Sequence, residues 1–167
     1  SLDNDSIPAY HAFPFTTDDI MRIYPNVRLY SSLLENVVEE IKAHQIDVVL
    51  MDAVTEHLTD PHNVFRSIWE IMDEGGVLWF SHCNYYSWTG HHAPPRSVVE
   101  WDENNPEQNS FTDWKHLDTS HQCYRNENFN RIRLNDLRDL VNKYFEIIEW
   151  NESLEAYKRL TPEIRKK

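Results

Sequence analysis

The stretch DVVLMDAVTEHLTDP, from Asp47 to Pro61, decides the fold. Its apolar run halts at Asp52, and a short apolar run bounded by polar residues predicts a buried strand over 46–51. Asp60 followed by Pro61 is typical of a helix start, since Asp caps the first turn and Pro suits its first position. Ligands of open α/β sheets bind beyond the carboxyl ends of strands. The acid and imidazole that follow this strand are therefore candidate functional groups.

The neighbouring segments continue an alternation of helices and strands. Apolar spacing predicts helices over 16–24, 34–42 and 61–72, and apolar runs predict further strands over 27–32 and 77–83. Strands that are almost continuously apolar are typical of a parallel sheet covered on both faces. We therefore expect an α/β fold with a mostly parallel sheet and helices on both faces.

This regularity stops after Cys83. Residues 84–133 are rich in aromatics, His, Pro and Asn, which in a compact domain indicates a lid or substrate loop. Residues 134–150 predict a closing helix followed, in the last seven residues, by a strand, and 151–167 form a polar tail. We expect one domain over 1–167 with its core at 27–83.

Composition restricts the class of partner. Sixteen basic and 28 acidic side chains give a formal charge of -12, which repels phosphate backbones and disfavours nucleic acid. No apolar stretch is long enough to cross a bilayer, so no membrane partner is expected. A small molecule is the expected partner, and the polar start without a signal peptide favours the cytoplasm.

The cysteines and histidines predict neither a disulfide framework nor a metal site. Two cysteines are too few for a framework and are expected to be reduced thiols. The spacing of the histidines near the second cysteine only loosely fits zinc ligands, so we expect no metal. The residues weighed for such a site are His91, His92, His116, His121 and Cys123.

The order of these motifs resembles a known family. The segments DAVTEHLTDP, IMDEGGVLWFSH and YFEIIEW occur in the order found in the second half of class I S-adenosylmethionine-dependent methyltransferases. In that family a strand is followed by Glu-His and Asp-Pro, then by a helix and a Gly-Gly turn into the next strand. The resemblance covers roughly residues 27–150, and DEGG stands where the family more often has Lys-Pro-Gly-Gly.

The resemblance implies a Rossmann-like methyltransferase fold and S-adenosylmethionine as cofactor. Residues at two strand ends would then line the cofactor edge, because the carboxyl ends of parallel strands converge on one crevice. These predicted cofactor-binding residues are Ser31, Ser32, Leu33, Asp52, Ala53 and Val54.

The acceptor side has a predicted base and a predicted pocket wall. His57 could take a proton from an acceptor hydroxyl, with Glu56 orienting a neighbour; alternatively both residues only begin the next connection. Residues 84–133, which we call the aromatic loop, could line an acceptor pocket, or they could form an ordinary packed surface loop. Its candidate residues are Tyr85, Tyr86, Trp88, His91 and His92.

One departure from the family leaves two functions open. Glycine occurs only at Gly75, Gly76 and Gly90, so the Gly-rich turn that such enzymes carry after their first strand is not supplied. Either the amino-terminal half of the cofactor site is missing or the site has degenerated. The first hypothesis is methyl transfer to a small hydroxyl-bearing or sugar-like acceptor, as part of a longer protein. The second is a catalytically inactive binding or assembly module. In both cases we expect a missing segment or a second copy to cover the incomplete sheet.

Overall fold

The computed structural model describes residues 16–91, 94–118, 129–154, 157 and 159–162. The chain divides between Val37 and Val38 into two compact units. Each unit is described by itself.

The first unit confirms the predicted first helix. Helix α1, Thr17–Ile23, begins at Thr16, whose hydroxyl accepts from the Asp19 amide while the Asp19 carboxylate accepts from the Thr16 amide. This reciprocal capping satisfies two amides that the helix leaves unbonded. A 3-10 helix, Leu34–Asn36, ends the unit.

The predicted strand over 27–32 is wrong. These residues are irregular in the structure, and no strand of the described ranges pairs with them. A strand is defined by ladder hydrogen bonds with a neighbour, which an apolar run cannot provide alone.

The second unit is built around a strand, a helix and a parallel strand. Helix α2, Val38–Ile41, precedes strand β1, Ile46–Met51; helix α3, Pro61–Ile71, then leads to strand β2, Met72–Phe80. The carboxylate of Asp60 accepts from the Asn63 amide at 3.0 Å, which confirms the predicted cap. The predicted helix over 34–42 is interrupted, since its first residues form the 3-10 helix of the first unit.

Strands β1 and β2 pair in parallel, as predicted. Val48 pairs with Val77 and Met51 pairs with Phe80, whereas Ile46 pairs with Met72. Strand β2 therefore has extra residues between Met72 and Val77, and these form a bulge near its start. Gly75 in this bulge has a φ of +85°, a conformation that glycine adopts without steric cost. Strand β2 thus begins earlier than predicted and ends at Phe80, before the predicted limit at Cys83.

Helix α3 covers one face of the strand pair. Phe65 is fully buried, and its ring meets that of Phe80 edge to face at 5.5 Å between centroids. Helices α2 and α5, Leu134–Asn142, contact α3, and α5 buries Leu137. This face holds the core of the second unit.

The opposite face of the strand pair is exposed and apolar. Val48 and Leu50 are 57% and 70% exposed, and their register partners Val77 and Trp79 are 48% and 52% exposed. Within the described ranges, the expected second layer of helices is therefore not formed. We call these four residues the open sheet face.

The later part of the chain is mostly irregular. The loop after β2 contains helix α4, Pro106–Phe111, and a 3-10 helix, Lys115–Leu117. The predicted closing helix is confirmed as α5, but the predicted strand over 144–150 is wrong, because these residues are irregular. No helix in the described part of the chain is long and apolar enough to cross a membrane.

Candidate functional site

Ser81 joins the carboxyl ends of the two strands. Its hydroxyl donates to the Asp52 carboxylate at 2.6 Å and accepts from the Ala53 amide at 2.8 Å. The Ser81 amide also donates to the Met51 carbonyl at 2.9 Å, which extends the strand ladder. The side chain thereby fixes the first turn after β1, where the sequence places the cofactor edge.

Ala53 lies in a conformation that favours glycine. Its φ is 51°, which costs free energy for a residue with a Cβ atom. The hydrogen bond from its amide to Ser81 helps to hold this geometry. Such strain is concentrated at functional turns.

Thr55 and His82 form a second bridge between the strand ends. The Thr55 hydroxyl donates to the Ser81 carbonyl at 3.0 Å and lies 2.9 Å from Nδ1 of His82. Because the hydroxyl has one proton, and it is already donated, Nδ1 of His82 carries a proton and donates to Thr55. This assigns the neutral ring to the tautomer with a free lone pair on Nε2.

Glu56 places a fully buried carboxylate beside this bridge. Its exposure is 0%, and neither carboxylate oxygen has a hydrogen-bond partner among the described residues. Nε2 of His82 is also buried, and within the same ranges it has no hydrogen-bond partner. Burial lowers the pKa of His82, and the negative charge of Glu56 partly opposes that effect. Burial and the same charge raise the pKa of Cys83 to about 11, so its thiol stays protonated near neutral pH.

Asn130 fixes the turn that carries Glu56. Its side-chain amide donates to the carbonyls of Thr55 and Leu58 at 2.7 and 2.9 Å. Its backbone amide donates to the Glu56 carbonyl at 2.8 Å. A residue far along the sequence therefore holds the 3-10 helix Thr55–His57 in place.

His57, the predicted base, lies on the outside of this turn. Its side chain is exposed, and its ring lies 4.8 Å from that of Phe129 between centroids. Neighbouring residues of one short helix thus differ sharply, since Glu56 is inside the protein and His57 faces solvent.

The aromatic loop divides into buried and cavity-lining residues. Tyr85 and His91 are 6% and 2% exposed, and His116 binds the Tyr85 carbonyl through Nε2 at 2.7 Å. Burial lowers the pKa of His116, and this hydrogen bond opposes the effect. A Cβ atom on Gly90 would lie 1.9 Å from the Tyr85 carbonyl oxygen, so only glycine fits there.

A cavity of about 780 Å³ runs along β2 and its continuation. Ser81 and His82 line it, as do Tyr86 and Trp88 of the predicted acceptor residues. The remaining walls include residues 149–153. Ser81 therefore both lines the cavity and bonds Asp52 and Ala53.

A charged pair is bound to Trp88, one of the residues that line this cavity. Asp113 accepts from Nε and an Nη atom of Arg159 at 2.7 and 2.8 Å, and from the Trp88 indole at 2.9 Å. Burial raises the pKa of Asp113, but these hydrogen bonds and nearby positive charges outweigh burial and lower it. The Arg159 guanidinium also lies 3.7 Å from the centroid of a Trp101 ring. Arg159 thereby links its own segment to the loop that contains Trp101 and Asp113.

The remaining predicted residues are distributed between the two units and the residues outside the described ranges. Ser31, Ser32 and Leu33 belong to the first unit, where they are exposed. Val54 is 41% exposed next to Ala53. Among the described residues no metal-binding group of His, Cys, Asp or Glu occurs, while His92, His121 and Cys123 are not described.

The family comparison agrees with this geometry. Residues 22–80 match the model of a family described as a methyltransferase domain. This segment is similar to a class I S-adenosylmethionine-dependent methyltransferase domain. The match begins at the last two residues of α1 and ends with β2, one residue before Ser81. No curated protein and no solved structure matches the chain.

The structure adds site residues that the sequence does not reveal. The sequence predicts a strand that runs to Cys83, which places Ser81 and His82 inside it and not at its end. The earlier end of β2 at Phe80 brings both into the site. Thr55 and Asn130 gave no sequence signal, because their role depends on contacts between distant segments.

Proposed function

We propose that this methyltransferase domain transfers a methyl group from S-adenosylmethionine to a small hydroxyl-bearing or sugar-like acceptor. The family generally uses this cofactor. In the proposal, Asp52, Ala53 and Val54 form the cofactor edge of a Rossmann-like sheet that needs further strands to be complete.

The position of Ser81, between the predicted cofactor edge and the cavity, is the observation that carries the proposal. Its hydroxyl bonds two residues of the predicted cofactor edge, and the same residue lines the 780 Å³ cavity. Methyl transfer depends chiefly on aligning two bound reactants next to each other. A cofactor edge and an acceptor cavity that share one residue supply that proximity.

The residues of the edge suit the charge of the cofactor. Asp52 is exposed and has no cationic partner among the described residues. A carboxylate there would attract the positively charged sulfonium and amino groups. The domain would supply this charge, a fixed turn and a cavity from which water is displaced.

The cavity suits a small polar acceptor with an apolar face. Its walls combine aromatic rings, such as Tyr86 and Trp114, with hydroxyl and amide groups, such as Ser87 and Asn151. Ligand pockets typically combine apolar walls with a few polar groups that fix orientation. A sugar-like ring meets both requirements.

A binding or assembly module is the second candidate function. Two observations favour it: no glycine precedes Gly75 in the sequence, and the open sheet face exposes four large apolar side chains. Such a patch is typical of a surface that another segment or a second copy covers. This candidate needs no cofactor.

Calorimetric titration with S-adenosylhomocysteine separates the two functions. We expect micromolar binding, weakened roughly tenfold or more in Asp52→Ala through loss of a charged partner. Asp73→Ala, an exposed acid in the bulge of β2, is the matched control and should bind as the wild type does. A wild-type protein that is folded but releases no heat at high concentration would exclude the enzyme and favour the module.

A further inference from the structure

Arg96 differs from the other arginines that the structure describes. Within the described ranges its side chain forms no ion pair, hydrogen bond or ring contact. Every other described arginine has a partner in the protein, as Arg159 has in Asp113 and Arg133 in the ring of Tyr86. Because the sequence holds 28 acidic and 16 basic side chains, carboxylate partners are plentiful, and a guanidinium left without one is unusual in this protein.

Arg96 lies where a ligand can reach it. It lines the cavity that follows β2, and it is exposed. Its backbone is held on both sides, since its amide donates to the Glu100 carboxylate at 2.8 Å and the preceding Pro95 is fully buried. A fixed main chain therefore carries a free guanidinium beside the cavity.

The acidic residues of the same cavity suit hydroxyl groups. Glu149 and Glu152 line it, and their carboxylates accept from the Asn151 amide at 2.7 Å and the Trp150 indole at 2.9 Å. A carboxylate has about four acceptor positions, so both can also accept from the hydroxyls of a ligand. Because these two charges repel a ligand that is anionic throughout, the cavity favours one anionic group on a hydroxyl-bearing body.

We propose that the acceptor is a hydroxyl-bearing anion whose carboxylate or phosphate group binds Arg96. This inference rests on the proposed function and narrows its acceptor to sugar acids, sugar phosphates and similar hydroxylated anions. A guanidinium binds either anionic group through two parallel hydrogen bonds, which fix the orientation of the ligand as well as its charge. Arg96 is thus a specificity-determining residue, and the hydroxyls of the acceptor are left for the other groups of the cavity.

Titration with three related probes tests the proposal in the full chain. Glucuronate carries a carboxylate, glucose 6-phosphate carries a phosphate, and glucose is the neutral comparison. The indole NMR signals of Trp114 and Trp150, which line the cavity, report binding, and that of the exposed Trp69, which does not line it, is the internal control. We expect the charged probes to bind at least about tenfold more tightly than glucose, through charge-assisted hydrogen bonds.

Two variants at Arg96 separate charge from geometry. Arg96→Gln should weaken both charged probes to the level of glucose and leave glucose itself unchanged. Arg96→Lys keeps the charge but loses the planar fork, so it should retain the phosphate better than the carboxylate. Arg66→Gln, at an exposed arginine outside the cavity lining, is the matched control and should bind all probes as the wild type does. Since Arg96 is exposed, its variants are expected to fold.

The outcomes distinguish this proposal from the proposed function. Equal affinity for the three probes, no indole shift with any of them, or charged-probe binding that survives Arg96→Gln would overturn it and leave Arg96 a solvated surface residue. Tight binding of only one charged probe supports it and identifies the anionic group. The titrations contain no cofactor, so a lack of binding heat with S-adenosylhomocysteine counts against the proposed function alone.

Discussion

At the scale of single residues, the two imidazoles near the strand ends lie in different surroundings. His57, the base predicted from the sequence, is exposed and stands beside Glu56. Nδ1 of His82 is bound to Thr55, and its Nε2 atom is buried. One pair of variants can therefore separate their roles.

In a protein that binds cofactor and an acceptor, a base at His57 implies that His57→Ala lowers kcat by about 10²- to 10⁴-fold, the usual contribution of a general base. The cofactor Kd should change little, because the base acts on the acceptor. His82→Gln is the comparison, with kcat close to that of the wild type, since the Nε2 atom of His82 is buried. An unchanged kcat in His57→Ala would remove His57 from the mechanism, and steady-state kinetics with calorimetry measures both quantities.

The buried histidines should make the unit sensitive to acid. Burial lowers the pKa values of His82 and His116, so the unfolded chain binds more protons than the folded one once the pH falls below the ordinary range of His. Stability is therefore expected to fall as the pH drops from 7 toward 5. Thermal midpoints across this range should show a weaker dependence in His116→Gln, whose amide can still donate to the Tyr85 carbonyl.

At the scale of elements, turns between strands and helices are fixed by side chains from elsewhere. Asn130 holds the 3-10 helix after β1, and Ser81 holds the preceding turn. The aromatic loop is fixed in a different way, because Gly90 packs directly on backbone. These contacts explain how irregular segments can carry a site with defined geometry.

Gly90→Ala should destabilise the loop markedly. The added Cβ atom would overlap the Tyr85 carbonyl oxygen and approach the His116 ring at 2.8 Å, so the loop must move. We expect a loss of about 1–3 kcal/mol in the free energy of unfolding, as for other overpacked sites. Gly75→Ala is the matched control, because nothing lies within 4 Å of its Cβ position and only the backbone conformation is strained. Equal losses in denaturant titrations would contradict the steric argument.

At the scale of the whole molecule, the open sheet face is an apolar surface that is exposed to water. Leu50 is 70% exposed and Val48 57%, although both lie within strand β1. Contiguous apolar surface of this kind usually marks a contact with another chain or segment. Under both candidate functions, we expect another segment or a second copy to cover this face.

Replacing Leu50 by Gln and Val48 by Thr should reduce self-association without loss of the fold. The side chains point away from the core beneath α3, so the thermal midpoint should change little, as is usual for surface substitutions. Sedimentation at several concentrations measures the association. Val99→Thr, at an 89% exposed position away from the sheet, is the control. Unchanged association in the double variant would exclude this face as a contact surface.

The sequence determined those parts of the protein whose signals are local. Apolar runs and caps specify β1, α3 and α5, since periodicity and the Asp60 cap act within a few residues. The motif order also predicts the similarity of residues 22–80 to a methyltransferase domain, and Asp52 directly follows strand β1 as predicted.

Only the tertiary structure decided which residues meet. The predicted strands over 27–32 and 144–150 are wrong. A strand forms only where a neighbouring strand supplies hydrogen-bond partners, and local apolar content does not supply them. The chain from Asp52 through Ser81 and Thr55 to His82 joins segments nearly 30 positions apart. Its hydrogen bonds exist only because two parallel strands end side by side, so no local pattern could have revealed them.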